Sequence, residues 1–374
     1  MVETRRAAGG GRAKKVQPPI FSHEFIIQNH GDIMSCVLMV FIVGLMFPLT
    51  SSFSSIFIAP QYNETQKVVI DGAEFTYLGY KNGILDLATI FFYTVAWIVV
   101  HAIIQEYVLD KLQRKTHLSK VSTFKFTESG HSLAFAIYSV AHASQLIQEI
   151  FLGFNDFKKI WLGYPDEHRF MSATYKLFFI FQIAYWLHQF PEFYFQKLKK
   201  EEIRQKTIVS IVFTVFITAA YFLNFTRIAL VLLVLEYSAQ IIFHFARLTH
   251  YLERKGVSKP AFKIWNVVFI LARIGSVILS IMTFWYGLRQ SELPYIDPSA
   301  GNFNTTFVRL NLLLSVVVLQ LILLWSFASF HLGRFRDSGK KDKKRSQPAP
   351  VQPKKKRNEE SESDADSKSL KKKN

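Results

Sequence analysis

Eight long apolar stretches constrain this chain more than any other feature of its sequence. A helix needs about 20 mostly apolar residues to cross the hydrocarbon core of a bilayer, and these stretches have about that length. The first has no shorter apolar core before it, so we do not interpret it as a cleaved signal peptide. We predict an all-α, polytopic membrane bundle of about eight transmembrane helices, near residues 33–53, 84–104, 132–150, 173–190, 207–224, 227–247, 264–287 and 309–330.

The composition also indicates a membrane protein. Half of the residues are hydrophobic, 36 of the 374 are phenylalanine, and the mean hydropathy is +0.16. A soluble domain of this size carries more charge and fewer aromatic residues. Because the chain has a single cysteine, Cys36, it cannot form an intramolecular disulfide.

Basic residues are distributed unevenly between the two sides of the predicted bundle. If the N-terminus is cytoplasmic, the cytoplasmic segments contain 35 lysine and arginine residues and the opposite loops contain seven. Cytoplasmic loops of membrane proteins carry an excess of these residues. We therefore predict that both termini are cytoplasmic, which agrees with an even number of helices.

We divide the chain into four parts: a cytoplasmic N-terminal arm (1–30), two transmembrane helices with a lumenal loop (31–116), six further helices (117–332) and a disordered basic tail (333–374). The tail alternates basic and acidic blocks and has no apolar face to bury. Three roles for its positive charge remain open: attraction to anionic lipid, attraction to ribosomal RNA phosphates, or a role in fixing the topology alone. Since its basic blocks lack interleaved aromatic residues, we expect no sequence-specific binding of nucleic acid.

Two short motifs lie in the tail. Lys371 and Lys372 stand at the fourth and third positions from the carboxyl end, which resembles the dilysine signal that retrieves membrane proteins to the endoplasmic reticulum. Ser361 and Ser363 each precede an acidic residue by three positions, as in substrates of acidophilic kinases. Phosphorylation there would place negative charge between two basic blocks and weaken their attraction to anionic surfaces.

Three N-x-S/T sequons occur, at Asn63, Asn224 and Asn304. Asn224 lies at a helix end and Asn304 only a few residues before the last predicted helix. Asn63 lies in a longer loop on the side opposite the basic segments. We therefore predict N-glycosylation at Asn63.

The sequence contains no phosphate-binding glycine loop, no H-E-x-x-H, no C-x-x-C and no G-x-S-x-G motif, and we expect no metal and no cofactor. Its chemistry lies instead in polar residues within the spans. Glu236, Gln240 and His244 are spaced four apart, which places them on one face of a helix. Arg273 lies in the middle of another span, and an ion pair with Glu236 would offset the cost of burying both. Two interpretations remain open: side chains that hold helices together, or a polar intramembrane groove that includes His188.

Four segments resemble the translocating chain-associated membrane protein family: SHEFIIQNHGDIMSC, DLATIFFYTVAWIVVHAIIQEYVLDKLQRK, YWLHQFPEFYFQKLKKEEI and GNFNTTFVRL. The resemblance runs from about Ser22 to about Arg336. It implies an endoplasmic reticulum protein beside the Sec translocon that contacts nascent signal sequences and transmembrane segments, with the ribosome and membrane lipids as further candidate partners. The region from about His117 to about Ser329 also resembles a TLC domain, which ceramide synthases share.

The same resemblance bears on catalysis. Ceramide synthases carry a paired histidine on one helix, whereas His188 stands alone at the corresponding place here. Asn224 to Ile228 fit the start of a second ceramide synthase segment, but Glu236 and Tyr237 stand where its His-Asp pair is expected. An acyl transfer that needs a histidine base has thus lost its residues. We expect a non-enzymatic translocation accessory. A lipid-binding protein remains the alternative, followed by an acyltransferase with Glu236 or His188 as base.

Overall fold

The computed structural model describes residue 19 and residues 22–70, 73–114, 116, 118–151, 156–196 and 200–345. The described residues form two compact units that divide after residue 322. The motifs at Ser361, Ser363, Lys371 and Lys372 lie outside the described residues, as do residues 1–18 of the predicted N-terminal arm.

The described chain is dominated by α-helices, with one β-hairpin. In order the elements are α1 (His23–Gln28), α2 (His30–Gly44), α3 (Pro48–Ile58), β1 (Asn63–Ile70), β2 (Ala73–Tyr80), α4 (Asp86–Ile104), α5 (Asp110–Gln113), α6 (Lys120–Phe151), α7 (Ala173–Phe195), α8 (Lys200–Phe222), α9 (Thr226–Tyr251), α10 (Lys255–Ser280) and α11 (Thr306–Arg345). π-Helical turns extend α4 over Gln105–Leu109 and α10 over Ile281–Gly287, and short 3-10 helices cover Phe157–Ile160 and Leu288–Ser291.

The prediction of one helix over 33–53 is wrong, because the chain turns between α2 and α3. Pro48 stands at the start of α3, where its missing N–H is tolerated, but it would break a continuing helix. The rings of Phe41 and Phe57 then meet with centroids 4.5 Å apart, so α3 folds back on α2. The fifteen residues of α2 make it shorter than the predicted span.

The loop after α3 is more ordered than the sequence analysis predicted. Strands β1 and β2 pair antiparallel, with Asn63 opposite Tyr80 and Ile70 opposite Ala73. Asp-Gly lies between them in the sequence, a dipeptide typical of two-residue hairpins, and that signal was overlooked. The tail boundary at 333 is also wrong, because α11 continues as helix to Arg345.

Five helical stretches in the described parts of the chain are long and apolar enough to cross a membrane, namely 86–113, 200–222, 226–251, 255–291 and 306–336. The chain is therefore an all-α polytopic membrane bundle, although a count of eight spans is not reached. The remaining long helices, α6 and α7, are more polar. They contact the interior of the bundle, where α7 alone buries Lys176, Gln182, His188 and Glu192.

Consecutive helices of the bundle run antiparallel, which gives it two distinct ends. The hairpin end contains β1, β2 and the connections 156–172, 223–225 and 292–305. We call the opposite end the basic end, because lysine and arginine residues are concentrated in its connections. Helices α4, α7 and α9 end there, and helices α6, α8 and α10 begin there. Helix α9 packs against α6 and α10, while α7 packs against α4 and α8. Aromatic and aliphatic residues fill the half nearer the hairpin end, among them Phe178, Phe179, Ile180, Tyr221, Ile228 and Leu230.

Candidate functional site

A cavity of about 410 Å³ lies in the half of the bundle nearer the basic end. Residues of helices α4, α6, α7, α8, α9 and α10 line it. Aromatic rings form much of its wall, and polar groups from α9 project into it at intervals of one helical turn. The lining includes Glu128, Phe135, Tyr185, Gln189, Lys206, Glu236, Gln240, Phe243 and His244.

An ion pair between α9 and α10 contributes the Glu236 carboxylate to the wall of this cavity. An oxygen of Glu236, Oε2, pairs with Nη2 of Arg273. The other guanidinium nitrogen, Nη1, donates a hydrogen bond of 2.9 Å to Gln320 on α11, and the guanidinium lies 5.0 Å from the ring centre of Phe269. Gln240 donates to Glu236 Oε1 at 2.8 Å. The sequence suggested the pairing, but Gln320 and Phe269 were not anticipated.

The entrance at the basic end carries a second group of charges. Glu128 on α6 accepts from Lys206 on α8 at 3.1 Å and from Arg247 on α9 at 3.4 Å. Two cations thus share one carboxylate, and the three helices are linked there. His244 lies one turn from Arg247 and lines the cavity, so the predicted α9 stripe of three polar residues faces the bundle interior.

His188 lies elsewhere. Among the described residues it lines a neighbouring cavity of about 190 Å³, together with His101 and His131. The rings of His101 and His131 stack with centroids 3.5 Å apart, and His101 Nε2 lies 3.2 Å from Glu192. Gln105 approaches His131 Nε2 at 3.1 Å.

The clustered histidines do not form a metal centre. No group of three or more His, Cys, Asp or Glu side chains in the described parts of the chain has an arrangement that could hold a metal ion. Stacked imidazole rings also direct their nitrogens sideways rather than toward a common point. The sequence did not indicate this histidine cluster, because His101 and His131 lie on different helices and only helix packing brings them together.

A second buried ion pair lies at the hairpin end. Lys176 and Asp86 have fully buried side chains, with Nζ 2.7 Å from Oδ1. The ammonium also donates to the carbonyl oxygens of Gln61 at 2.7 Å and Lys81 at 2.5 Å, on either side of the β-hairpin. Tyr221 donates to Asp86 Oδ2 at 2.8 Å. This pair was not anticipated, because each residue looks like an ordinary charge at the end of a span.

The three sequons differ in accessibility. Asn63 is exposed at the start of β1. Asn224 is buried and donates to the Gly301 carbonyl at 2.8 Å, and Asn304 is fully buried with its amide nitrogen on the Leu288 carbonyl at 2.5 Å. An oligosaccharide attached to either buried amide is incompatible with these contacts.

The hairpin end also holds a buried titratable group outside the spans. Burial, together with a smaller contribution from the nearby positive charge of Arg227, lowers the pKa of His168 to about 3. Its Nε2 lies 3.0 Å from the Leu162 carbonyl oxygen, so the neutral ring donates that hydrogen bond. The imidazole is therefore neutral in the folded protein at neutral pH.

Comparison with known proteins agrees with this architecture. A family model described as TLC domain matches residues 122–329. The chain is 39% identical over 334 residues to translocating chain-associated membrane protein 2 of Mus musculus, covering 89% of this chain and 88% of that protein. It is 38% identical over 333 residues to the Homo sapiens protein of the same name. The chain belongs to the translocating chain-associated membrane protein family.

The family has more distant relatives with a different name. Sphingosine N-acyltransferase-like protein ALT7 of Alternaria alternata is 26% identical over 230 residues, which cover 60% of this chain and 51% of that protein. This member of the translocating chain-associated family is thus also similar, more distantly, to a protein named for lipid chemistry.

Proposed function

We propose that this protein is a non-enzymatic accessory of the endoplasmic reticulum translocon. It assists the translocation of secretory chains and the membrane insertion of nascent transmembrane segments. The relatives named translocating chain-associated membrane protein match almost the full length of the chain. The observation that carries the proposal is the Glu236–Arg273 pair, whose carboxylate faces a cavity near the middle of a spanning helix.

Energetics explain how such a cavity helps a nascent segment. A charged residue at the centre of an isolated inserted helix costs about 2.5–3.5 kcal/mol on insertion scales. A hydrogen bond inside a helical bundle returns about 0.6–2 kcal/mol. A segment that places its polar side chain against Gln240 or Glu236 is therefore stabilised in the membrane before it has found its own partners.

We propose that both termini are cytoplasmic and that the hairpin end is lumenal, since the basic residues favour that orientation. The partners are then the Sec translocon and nascent signal sequences and transmembrane segments, with the ribosome and anionic lipid as further candidates for the basic tail. Asn63 is the proposed glycosylation site, Lys371 and Lys372 the proposed retrieval signal, and Ser361 and Ser363 proposed phosphorylation sites.

Lipid binding is the second candidate function. The aromatic part of the cavity wall suits an acyl chain, and the volume of about 410 Å³ is close to that of one such chain. The cavity holds two charged clusters, however, and an acyl chain satisfies neither. An acyltransferase is the least supported function, because the clustered histidines already have polar partners: His101 contacts Glu192, and His131 contacts Gln105.

Photocrosslinking tests the leading proposal. A photoreactive residue at Gln240 faces the cavity, whereas one at Ile278 on α10, which is 51% exposed, faces away from the core. Stalled nascent chains carrying a segment with a central polar residue should label from position 240 several times more than from position 278. Equal labelling from both positions, or labelling of copurified lipid alone, would contradict the proposal.

A further inference from the structure

The two side chains of the Glu236–Arg273 ion pair differ in their exposure. The Arg273 side chain is 2% exposed, while that of Glu236 is 23% exposed. The guanidinium is held by Glu236, by Gln320 and by the ring of Phe269. Arg273 therefore pairs with the carboxylate from the enclosed side, and Glu236 is the member of the pair that lines the cavity.

The exposed carboxylate retains capacity to accept hydrogen bonds. In the described chain Glu236 accepts from Arg273 at Oε2 and from Gln240 at Oε1. An ionised carboxylate has about four acceptor positions, so about two stay open. Gln240 uses its amide nitrogen on Glu236 and keeps its carbonyl oxygen as a further acceptor. This part of the wall therefore offers acceptors rather than donors.

The size of the cavity limits what can enter. A spanning helix of 20 residues is about 30 Å long and about 10 Å across, which is on the order of 2,400 Å³. A cavity of about 410 Å³ cannot hold such a helix, but it holds one long side chain. A client segment must therefore lie outside the bundle and insert only one side chain into the cavity.

Depth adds a second restriction. Helix α9 has 26 residues, and Glu236 is its eleventh. At 1.5 Å per residue it lies about 15 Å from one end of a helix about 39 Å long, close to the midpoint. A guest side chain that reaches Glu236 must therefore come from near the middle of its own segment.

We propose that the cavity selects transmembrane segments by the hydrogen-bonding class of a central residue. It favours donors, namely lysine, arginine and side-chain amides, and it discriminates against aspartate and glutamate. A donor finds open acceptor positions on Glu236 and Gln240, whereas a second carboxylate beside Glu236 meets like charge inside a spanning bundle. Lys206 and Arg247 do not reverse this preference at Glu236, because they pair with Glu128, and Arg247 stands eleven residues, or about 16 Å, farther along α9.

This inference rests on the proposed function, and the experiment separates the two. Four stalled nascent chains differ only at the central residue of one segment, which is Leu, Asn, Lys or Asp, with a photoreactive residue one turn away. They are tested on membranes containing the full-length protein. We expect crosslinking to rank Lys and Asn above Leu and Leu above Asp, with Lys exceeding Asp by at least about fivefold, or about 1 kcal/mol.

Variants assign the preference to the carboxylate. The double change Glu236→Gln with Arg273→Met removes both charges, so it leaves no unpaired buried ion, and it should bring the Lys to Asp ratio close to one. The exposed substitution Ile278→Leu is the matched control and should retain the ratio. Equal abundance and elution of all variants shows that they fold.

Three results would overturn the inference. Equal crosslinking of the Lys and Asp chains to the unmodified protein removes the selectivity but leaves the proposed function standing. A ratio that persists in the double variant assigns the preference to another group. If no polar chain exceeds the Leu chain, the proposed function itself fails together with the inference.

Discussion

Two of the carboxylate–cation pairs in the described bundle share the same elementary chemistry but have different surroundings. Asp86–Lys176 is fully enclosed, and its ammonium also binds two backbone carbonyls. Glu236–Arg273 is enclosed on the arginine side only, and its carboxylate faces a cavity. A pair whose polar atoms all have partners fixes structure. A pair with open acceptor positions can still accept hydrogen bonds from a ligand.

The helices around the two pairs follow the same division. Near the hairpin end the core is filled by side chains such as Phe179, Tyr221 and Leu230. Near the basic end the helices diverge around about 410 Å³ of space. The well-packed half thus provides the rigid support that holds the polar residues of the other half in place.

The enclosed pair should show the largest effect of substitution. Lys176→Met leaves Asp86 as an unpaired buried charge and frees the carbonyls of Gln61 and Lys81. Breaking one side of a buried pair costs about 3–5 kcal/mol. We expect little folded protein in detergent, as measured by size-exclusion elution and thermal unfolding. An unchanged unfolding midpoint would show that the hairpin end does not depend on this pair.

The cavity pair should matter less for stability. Glu236→Ala leaves Arg273 with Gln320 as its remaining hydrogen-bond partner, but the site is partly open, so we expect a loss of about 1–3 kcal/mol. Adding Arg273→Met should restore much of that loss, because it removes the uncompensated charge. Thermal midpoints of the single and double variants check this. A double variant that is less stable than the single one would contradict the comparison.

These contrasts show what could be read from the sequence. The α9 stripe and its arginine partner were predictable, because ionisable residues inside apolar spans are rare and their four-residue spacing fixes a common face. Asp86 and Lys176 carried no such signal, since charges at span ends are normal and the residues are 90 positions apart in the sequence. The break at Pro48 was readable and was overlooked. The histidine cluster required knowledge of how α4, α6 and α7 pack.

Glycosylation tests which compartment each half of the molecule faces. We expect Asn63→Gln to abolish the mobility shift that a glycosidase produces, because Asn63 is exposed on the proposed lumenal hairpin. Asn304→Gln should retain the shift in whatever protein folds, since its amide is buried. Gel mobility with and without glycosidase measures both. A shift that persists in Asn63→Gln would mean that another sequon is modified and that the hairpin end is less tightly closed than the structure indicates.

The smallest expected effect concerns the pH dependence of the enclosed end. Burial holds the pKa of His168 at about 3 in the folded chain, whereas an unfolded histidine titrates near 6.5. Between these values the unfolded chain binds the extra proton, so this contribution is complete above pH 6.5 and decreases as the pH falls. From pH 7.5 to pH 5.5 the loss is about 1.4 kcal/mol, or about 2 °C in the unfolding midpoint. His168→Gln should reduce that pH dependence, while His23→Gln at an exposed position should not. The unfolding midpoints of His168→Gln and the unmodified protein could instead decrease equally from pH 7.5 to pH 5.5. That result would mean that water reaches His168 and that the hairpin end is not as enclosed as the structure indicates.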